Sequence, residues 1–167
     1  MQFVARLTIC LLAVFLLGCS RPAPTLTVTD YGIYDARLEL KGDWKQGIPV
    51  EVVSVNDAKL KETTTRIPAQ TGINWGVSTV VTNHYLLQAV KVVGVMEHPA
   101  FTSPDGKTTT EDVFPLGTVD ANETLEMPYF WCFLEQEPYE LVPGKWTLRI
   151  EVDGQTLMTK AFEIYKP

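Results

Sequence analysis

The chain has 167 residues, a formal net charge of −6 at pH 7 and 46% hydrophobic residues. This length is typical of one ordinary domain, which can bury most of the surface that its unfolded chain exposes. An acidic chain without a local basic stripe repels nucleic-acid phosphates, so we expect no nucleic-acid partner.

The first residues predict export. Residues 1–6 carry one positive charge, and residues 7–17 form an apolar run that ends in Gly18-Cys19. A helix that spans a bilayer needs about 18 or more apolar residues, whereas a shorter apolar core followed by small residues is typical of a signal peptide. We therefore predict that residues 1–18 are a signal peptide.

The run Leu-Leu-Gly-Cys at positions 16–19 resembles the lipobox of bacterial lipoproteins. In that family the cysteine is acylated and becomes the first mature residue, so the resemblance implies a lipid on Cys19 and a tether over residues 19–27. Ser20 implies, by the same analogy, sorting to the periplasmic face of the outer membrane. The alternative is an ordinary secretory signal cleaved near Ser20 or Ala23, which would leave Cys19 unmodified.

The cysteines predict a fold without disulfides. Of three cysteines, Cys10 leaves with the signal peptide and Cys19 is used for the lipid, which leaves Cys132 without a partner. One cysteine and two histidines also cannot build a cysteine-rich zinc site. The mature fold must therefore depend on an apolar core.

Alternation of apolar and polar residues predicts strands along the whole mature chain. Apolar residues share one parity over residues 34–40 and again over residues 73–81, which predicts two half-buried strands. Residues 86–96 and 129–134 are apolar on both parities, which predicts central strands covered on both faces. No stretch of 11 or more residues has a convincing helical period.

Near the C terminus, Asp153-Gly154 predicts a two-residue type I′ turn between two strands. A turn of that length would pair Val152 with Gln155, Ile150 with Leu157 and Trp146 with Ala161. Polar segments rich in turn residues predict loops over residues 41–47, 99–107 and 116–124. Together these elements predict an all-β antiparallel sandwich of about seven strands, with a closed barrel as the alternative.

Three passages resemble a bacterial family of unknown function with immunoglobulin-like architecture, which occurs in exported proteins and lipoproteins. They are Tyr-Gly-Ile-Tyr at 31–34, Ile-Pro-Ala at 67–69 leading to Ile-Asn-Trp-Gly at 73–76, and Val-Pro-Gly-Lys-Trp at 142–146. The resemblance implies an immunoglobulin-like sandwich over residues 28–167 in an exported protein. It transfers no catalytic residue.

The two histidines are the first candidates for a metal site. His84 and His98 would have to meet a carboxylate of Asp105, Glu111 or Asp112, and two histidines with a carboxylate are a genuine zinc or iron ligand set. However, the histidines belong to no metal motif, and their neighbours predict a turn at His84 and a strand end at His98. We expect no metal and no other cofactor.

Two further groups are candidate catalysts. Cys132 lies in an apolar strand, where thiols are typically inert, so we predict a buried core residue rather than a nucleophile. Glu135, Glu137 and Glu140 flank Pro138. General acid–base catalysis would need them across a cleft, so we predict a solvated rim, with a weak acidic patch for a cationic partner as the alternative.

The four tryptophans divide into two classes. Trp75, Trp131 and Trp146 lie in predicted strands and are expected in the core, whereas Trp44 lies in a predicted loop. Exposed aromatic side chains often anchor interfaces, so Trp44 is the candidate contact residue. The alternative is that it folds over the edge of the sandwich.

These observations predict a non-enzymatic, membrane-anchored module that binds or stabilises another component of the cell envelope. The first alternative is a carrier of a small apolar or saccharide ligand, bound between the sheets or under the loops around Trp44. The second is a metal-dependent enzyme, in which His84, His98 or Cys132 would converge with loop carboxylates.

Overall fold

The computed structural model describes residues 22–43 and 48–167. Cys19 and Trp44 lie outside the described residues, so the lipid attachment site and the contact residue stay predictions. Within the described part of the chain, no helix is long and apolar enough to cross a membrane.

Nine strands form two sheets that pack face to face. The first sheet has the order β2-β1-β4-β7, and the second has the order β3-β9-β8-β5-β6. All pairs are antiparallel except β3 with β9. The strands are β1 (Thr25–Asp43), β2 (Ile48–Glu62), β3 (Arg66–Pro68), β4 (Asn74–Thr82), β5 (Val90–Thr102), β6 (Thr108–Val119), β7 (Thr124–Cys132), β8 (Gly144–Val152) and β9 (Gln155–Tyr165).

The predicted all-β sandwich is confirmed, but it has nine described strands rather than about seven. The three predicted loops are shorter than expected, because residues 41–43, 99–102 and 116–119 lie in strands β1, β5 and β6. Turn-forming residues are compatible with pairing at strand ends that face solvent, where the side chains need no apolar surroundings.

Aromatic side chains fill the space between the sheets. Trp75 on β4 and Trp146 on β8 are fully buried, and their rings meet edge to face with centroids 5.7 Å apart. Trp131 meets Trp146 in the same geometry at 5.3 Å. Edge-to-face packing suits aromatic quadrupoles and adds about 0.5–1.5 kcal/mol per pair beyond the buried area. The core placement predicted for these three tryptophans is confirmed.

The parity predictions hold for residues 77–82 of β4 and fail in part elsewhere, since Asn74 and Gly76 on the predicted wet face are also buried. Trp75, Val77 and Val81 are buried on one face of β4, as predicted. Residues 129 and 131–134 are buried and Phe130 is half-buried, but β7 is an edge strand rather than a central one. Leu86 and Leu87 are exposed, because they belong to the connection between sheets and β5 begins only at Val90.

The predicted turn is present, but the register beyond it differs. Asp153 and Gly154 both have positive φ angles, of 48° and 79°, and Val152 pairs with Gln155 as expected. A β-bulge then places Leu157 as an extra residue, so Ile150 pairs with Met158 and Trp146 with Phe162. Sequence alternation alone does not reveal such an inserted residue.

Strand β1 changes partners along its length. Residues 25–34 pair with β4, whereas β2 pairs with β1 only from Ile33 onward. Beyond Tyr34, β1 and β2 therefore form a two-stranded arm. This explains why Tyr34 is buried, as predicted, but Leu40 on the same predicted face is 38% exposed.

Gly32 allows this change of partners. Its φ angle is +140°, and a Cβ atom there would collide with the main-chain oxygen of Glu62 in β2. Only glycine combines this backbone conformation with so close an approach. Gly32 therefore lets β2 lie close against β1 at the position where the arm leaves the sandwich.

We expect Gly32→Ala to lower the free energy of unfolding by about 3 kcal/mol, because it adds a steric clash to an unfavourable φ angle. Gly72→Ala is the control: its φ angle is +84°, but no atom lies near the added methyl group. The control should cost only about 1 kcal/mol. Equal losses in urea unfolding would show that backbone approach at Gly32 does not matter.

Candidate interaction groove

Each sheet has an edge that remains open among the described residues. In the first sheet, β2 covers β1 only from Ile33 onward, which leaves residues 25–32 without a strand partner on that side. In the second sheet, β3 pairs with β9 only at Glu163–Tyr165, which leaves residues 155–162 open. Unpaired strand edges are templates for another extended chain.

These two open edges face each other across a groove. The groove has a volume of about 320 Å³ and is partly open to solvent. One wall is residues 28–31 of β1, the other is residues 158–160 of β9, and Thr63 lies between them after β2. The groove is therefore bordered by main chain on both sides.

A β-bulge lies at each wall of the groove. In β1 the register shifts between Val28 and Asp30, and in β9 it shifts next to Met158. Bulges turn side chains and end pairing, and they are common at sheet edges and beside functional sites. The two bulges thus keep the edges from closing directly on each other.

Lys160 and Tyr31 bridge the groove. Lys160 pairs with the buried Leu148, so its side chain points between the sheets, and its Nζ lies 3.1 Å from the centre of the Tyr31 ring. Such a contact contributes about 0.5–1 kcal/mol at an accessible site. A lysine that points inward from an edge strand also discourages indiscriminate pairing.

Alternate residues of β9 point their main-chain N–H and C=O groups toward the open edge of the strand. Glu163 donates its N–H to the Thr65 carbonyl on the outer side of β9. The N–H and C=O groups of successive residues point to opposite sides of a strand, so every second residue points to the same side. Ala161 and Thr159 therefore direct their N–H and C=O groups outward, as Glu163 does. Their side chains are exposed. This edge can therefore accept a further strand without a change in the core.

The residues considered for a metal do not assemble. His84 lies just after β4 and His98 lies eight residues into β5, so the two are at different levels of the sandwich, about 25 Å apart along the strand direction. Glu111 contacts Arg149, and Asp105 accepts a hydrogen bond from Ser103 in a hairpin turn. Among the described residues, no cluster of three metal-binding side chains occurs.

The structure does bring His98 and Asp112 together. His98 is buried within β5 rather than at a strand end, and its Nε2 lies 3.1 Å from Asp112 Oδ2. Its Nδ1 lies 2.9 Å from the Pro99 carbonyl oxygen. Both ring nitrogens thus have an oxygen partner, which leaves neither for a metal.

Cys132 is buried, as predicted, and burial is the main reason that its pKa is raised to about 12. The thiolate required of a nucleophile is therefore disfavoured.

The solvated rim predicted for the glutamates is wrong for two of the three. Glu135 is exposed, but Glu137 and Glu140 are buried. A 3-10 turn over Pro138–Glu140 folds this segment inward, where Trp131 donates its indole N–H to Glu140 and Tyr139 donates its hydroxyl to Glu137. The sequence does not reveal this burial, because it depends on the turn at Pro138 and on the indole N–H of Trp131, which lies on a different element.

Burial raises the pKa of Glu140 to about 8, and the neighbouring Glu137 carboxylate adds to the shift. Between pH 4.5 and about 8, Glu140 therefore keeps its proton in the folded state but loses it in the unfolded chain. Because the folded-state pKa is the higher one, the stability contributed by neutral Glu140 is complete at low pH and is lost as pH rises through about 8.

We expect Glu140→Gln to weaken this pH dependence. Between pH 5 and pH 8 the wild type should lose stability, by an amount on the order of 4 kcal/mol from this group, relative to the variant. Urea unfolding at both pH values measures the difference, with Glu135→Gln at an exposed position as the control. Parallel pH profiles for wild type and Glu140→Gln would contradict the assignment.

A family profile described as a domain of unknown function, DUF3859, matches residues 23–164. The chain belongs to the DUF3859 family. No curated protein sequence matches this DUF3859 chain. The match supports the predicted resemblance to a family of unknown function.

A solved structure confirms the immunoglobulin-like fold of this DUF3859 domain. A crystal structure of an immunoglobulin-like protein from Pseudomonas aeruginosa superposes with a TM-score of 0.59 at 17% identity, over 87% of this chain and 99% of that chain. The alkylpurine DNA glycosylase AlkC of Pseudomonas fluorescens gives 0.45 at 16% identity, over 60% of this chain and 27% of that chain. A β-glucosidase from Listeria innocua gives 0.42 at 12% identity, over 79% and 17%. The last two scores lie below 0.5, so we base no argument on these two structures.

Proposed function

We propose that this protein is a lipid-anchored module of the bacterial cell envelope that binds an extended segment of a partner protein in the groove between β1 and β9. The observation that carries the proposal is the pair of facing, open strand edges. The role is non-enzymatic and needs no cofactor.

The walls of the groove favour a peptide over a compact ligand. An added strand gains hydrogen bonds from the main chain of the edge, and alternate side chains enter the groove for selectivity. Thr159 and Ala161 supply outward main-chain groups, and Asp30 and Lys160 place both charge signs at the walls. A small apolar or saccharide ligand would instead be favoured by an enclosed pocket.

The buried polar residues do not support the enzyme alternative. His98 and Asp112 form a pair, but Cys132 has a raised pKa and Glu140 is hydrogen-bonded to an indole in the core. General acid–base or nucleophilic catalysis requires groups that reach a bound substrate. These groups stabilise the sandwich in our proposal.

The anchor in this proposal is the lipid on Cys19, on the periplasmic face of the outer membrane. Its support is the Leu-Leu-Gly-Cys run at the end of the apolar core. Two or more acyl chains suffice for stable membrane attachment. Trp44 remains a predicted contact residue for the partner.

We expect Cys19→Ala to release the protein from membranes. Without acylation, the apolar signal core that remains is too short to span a bilayer. Membrane fractionation and intact mass of the mature protein measure this outcome. If the variant stays in the membrane fraction and the wild-type mass shows no acyl groups, the anchor is wrong.

Thr159→Pro tests the groove. Proline removes the outward N–H while the side chain position is exposed, and proline is tolerated at strand edges. We expect the substitution to abolish partner binding and leave the fold intact. The readout is in-cell photocrosslinking from a benzophenone residue at Thr63, which lines the groove, followed by mass spectrometry.

Thr159→Ala is the matched control, because it shortens the same side chain but keeps the N–H. A discrete protein adduct that is retained with alanine and lost with proline supports strand addition. An adduct that survives the proline substitution, or the absence of any protein adduct in wild type, contradicts it. Circular dichroism of both variants checks the fold.

A further inference from the structure

We propose that the loop containing Leu86 and Leu87 is a second membrane contact, which inserts into zwitterionic phospholipid beside the lipidated tether. This inference rests on the proposed anchor at Cys19. It adds an orientation: the end of the sandwich at which β1 begins faces the bilayer.

The loop between β4 and β5 presents two leucines to solvent. Leu86 is 64% exposed and Leu87 is 89% exposed. Single exposed apolar residues are common on protein surfaces. Two adjacent exposed leucines are different, because moving their combined apolar surface from water into a bilayer lowers the free energy.

The loop is held rigidly in this exposed arrangement. Asn83, at its start, is completely buried. Its side-chain amide donates to the main-chain oxygens of Gln88, Val119 and Asp120 at 2.8, 3.1 and 3.0 Å, and its oxygen accepts from the Tyr85 N–H at 3.0 Å. A buried, fully used amide of this kind orders the connection. The leucines are therefore displayed by the fold.

The loop lies at the end of the sandwich that the tether enters. Thr25, the first residue of β1, pairs with Thr82 at the end of β4, and its hydroxyl lies 3.1 Å from His84 Nε2. Cys19 precedes Thr25 by six residues, a length that spans about 20 Å at most when fully extended. A lipid on Cys19 thus holds this end close to the bilayer surface.

The charges at this end select the kind of lipid. Asp120 and Glu123 lie in the neighbouring turn, and Asp153 lies in the β8–β9 turn at the same end. Among the described residues at this end, Lys91 carries a positive charge, and its main-chain N–H donates to the Asp153 carboxylate. These acidic side chains repel anionic headgroups, so they favour a zwitterionic phospholipid such as phosphatidylethanolamine.

The experiment places a benzophenone residue at position 87 of the full chain in cells grown with radiolabelled phosphate. Position 113 is the matched control, because Val113 is 59% exposed but lies in the middle of β6 on the second sheet. After illumination, the protein is purified in detergent and its phospholipid label is measured. Fractionation and intact mass of the same samples report the anchor separately.

We expect a phospholipid adduct at position 87, none above background at position 113, and loss of the position-87 adduct in the Cys19→Ala background. Three outcomes in lipidated, membrane-bound protein would overturn the inference and leave the anchor standing. They are no phospholipid adduct at position 87, a protein adduct at position 87 instead, or equal phospholipid labelling at position 113. Wild-type protein without acyl groups would overturn the anchor and with it this inference.

Discussion

Aromatic side chains hold the two sheets of the sandwich together. Trp75 and Trp146 are fully buried on facing sheets and meet edge to face, and Phe133 and Phe162 pack around Trp75 with ring centroids 5.9 and 4.9 Å away. Because no described cysteine has a disulfide partner, burial of these large side chains supplies the main driving force that joins the sheets. Both sheets must keep one apolar face fixed in register for this packing to form.

That requirement governs the faces of the sheets and leaves the edges free to differ. At the edge bordered by β1 and β9, Gly32 lets β2 join only where β1 leaves the sandwich, and β3 covers just three residues of β9. The open main chain between these points forms the groove. Bulges on both walls and the inward Lys160 keep the edges apart without disturbing the core beneath them.

The two ends of the sandwich have different characters. At one end, Asn83 orders a loop with exposed leucines next to the first residue of β1. At the other, the β1–β2 arm continues past the sandwich, and the buried Glu140 and His98 lie among aromatic rings. In our proposals the first end faces the membrane, so the arm and the groove are presented to partners in the periplasm.

The all-β class, the alternation over residues 77–82 of β4, the core tryptophans and the Asp-Gly turn could be predicted from the sequence, because they depend on local periodicity and turn chemistry. The sequence also predicts the export signal and the lipid on Cys19, which the described residues do not test. The groove, the bulge at Leu157, the burial of Glu137 and Glu140 and the exposure of Leu86 and Leu87 became visible only in the folded chain. These features depend on the order of the strands in each sheet and on contacts between residues that are not neighbours in the chain. Strand order and such contacts produce no periodic pattern in the sequence.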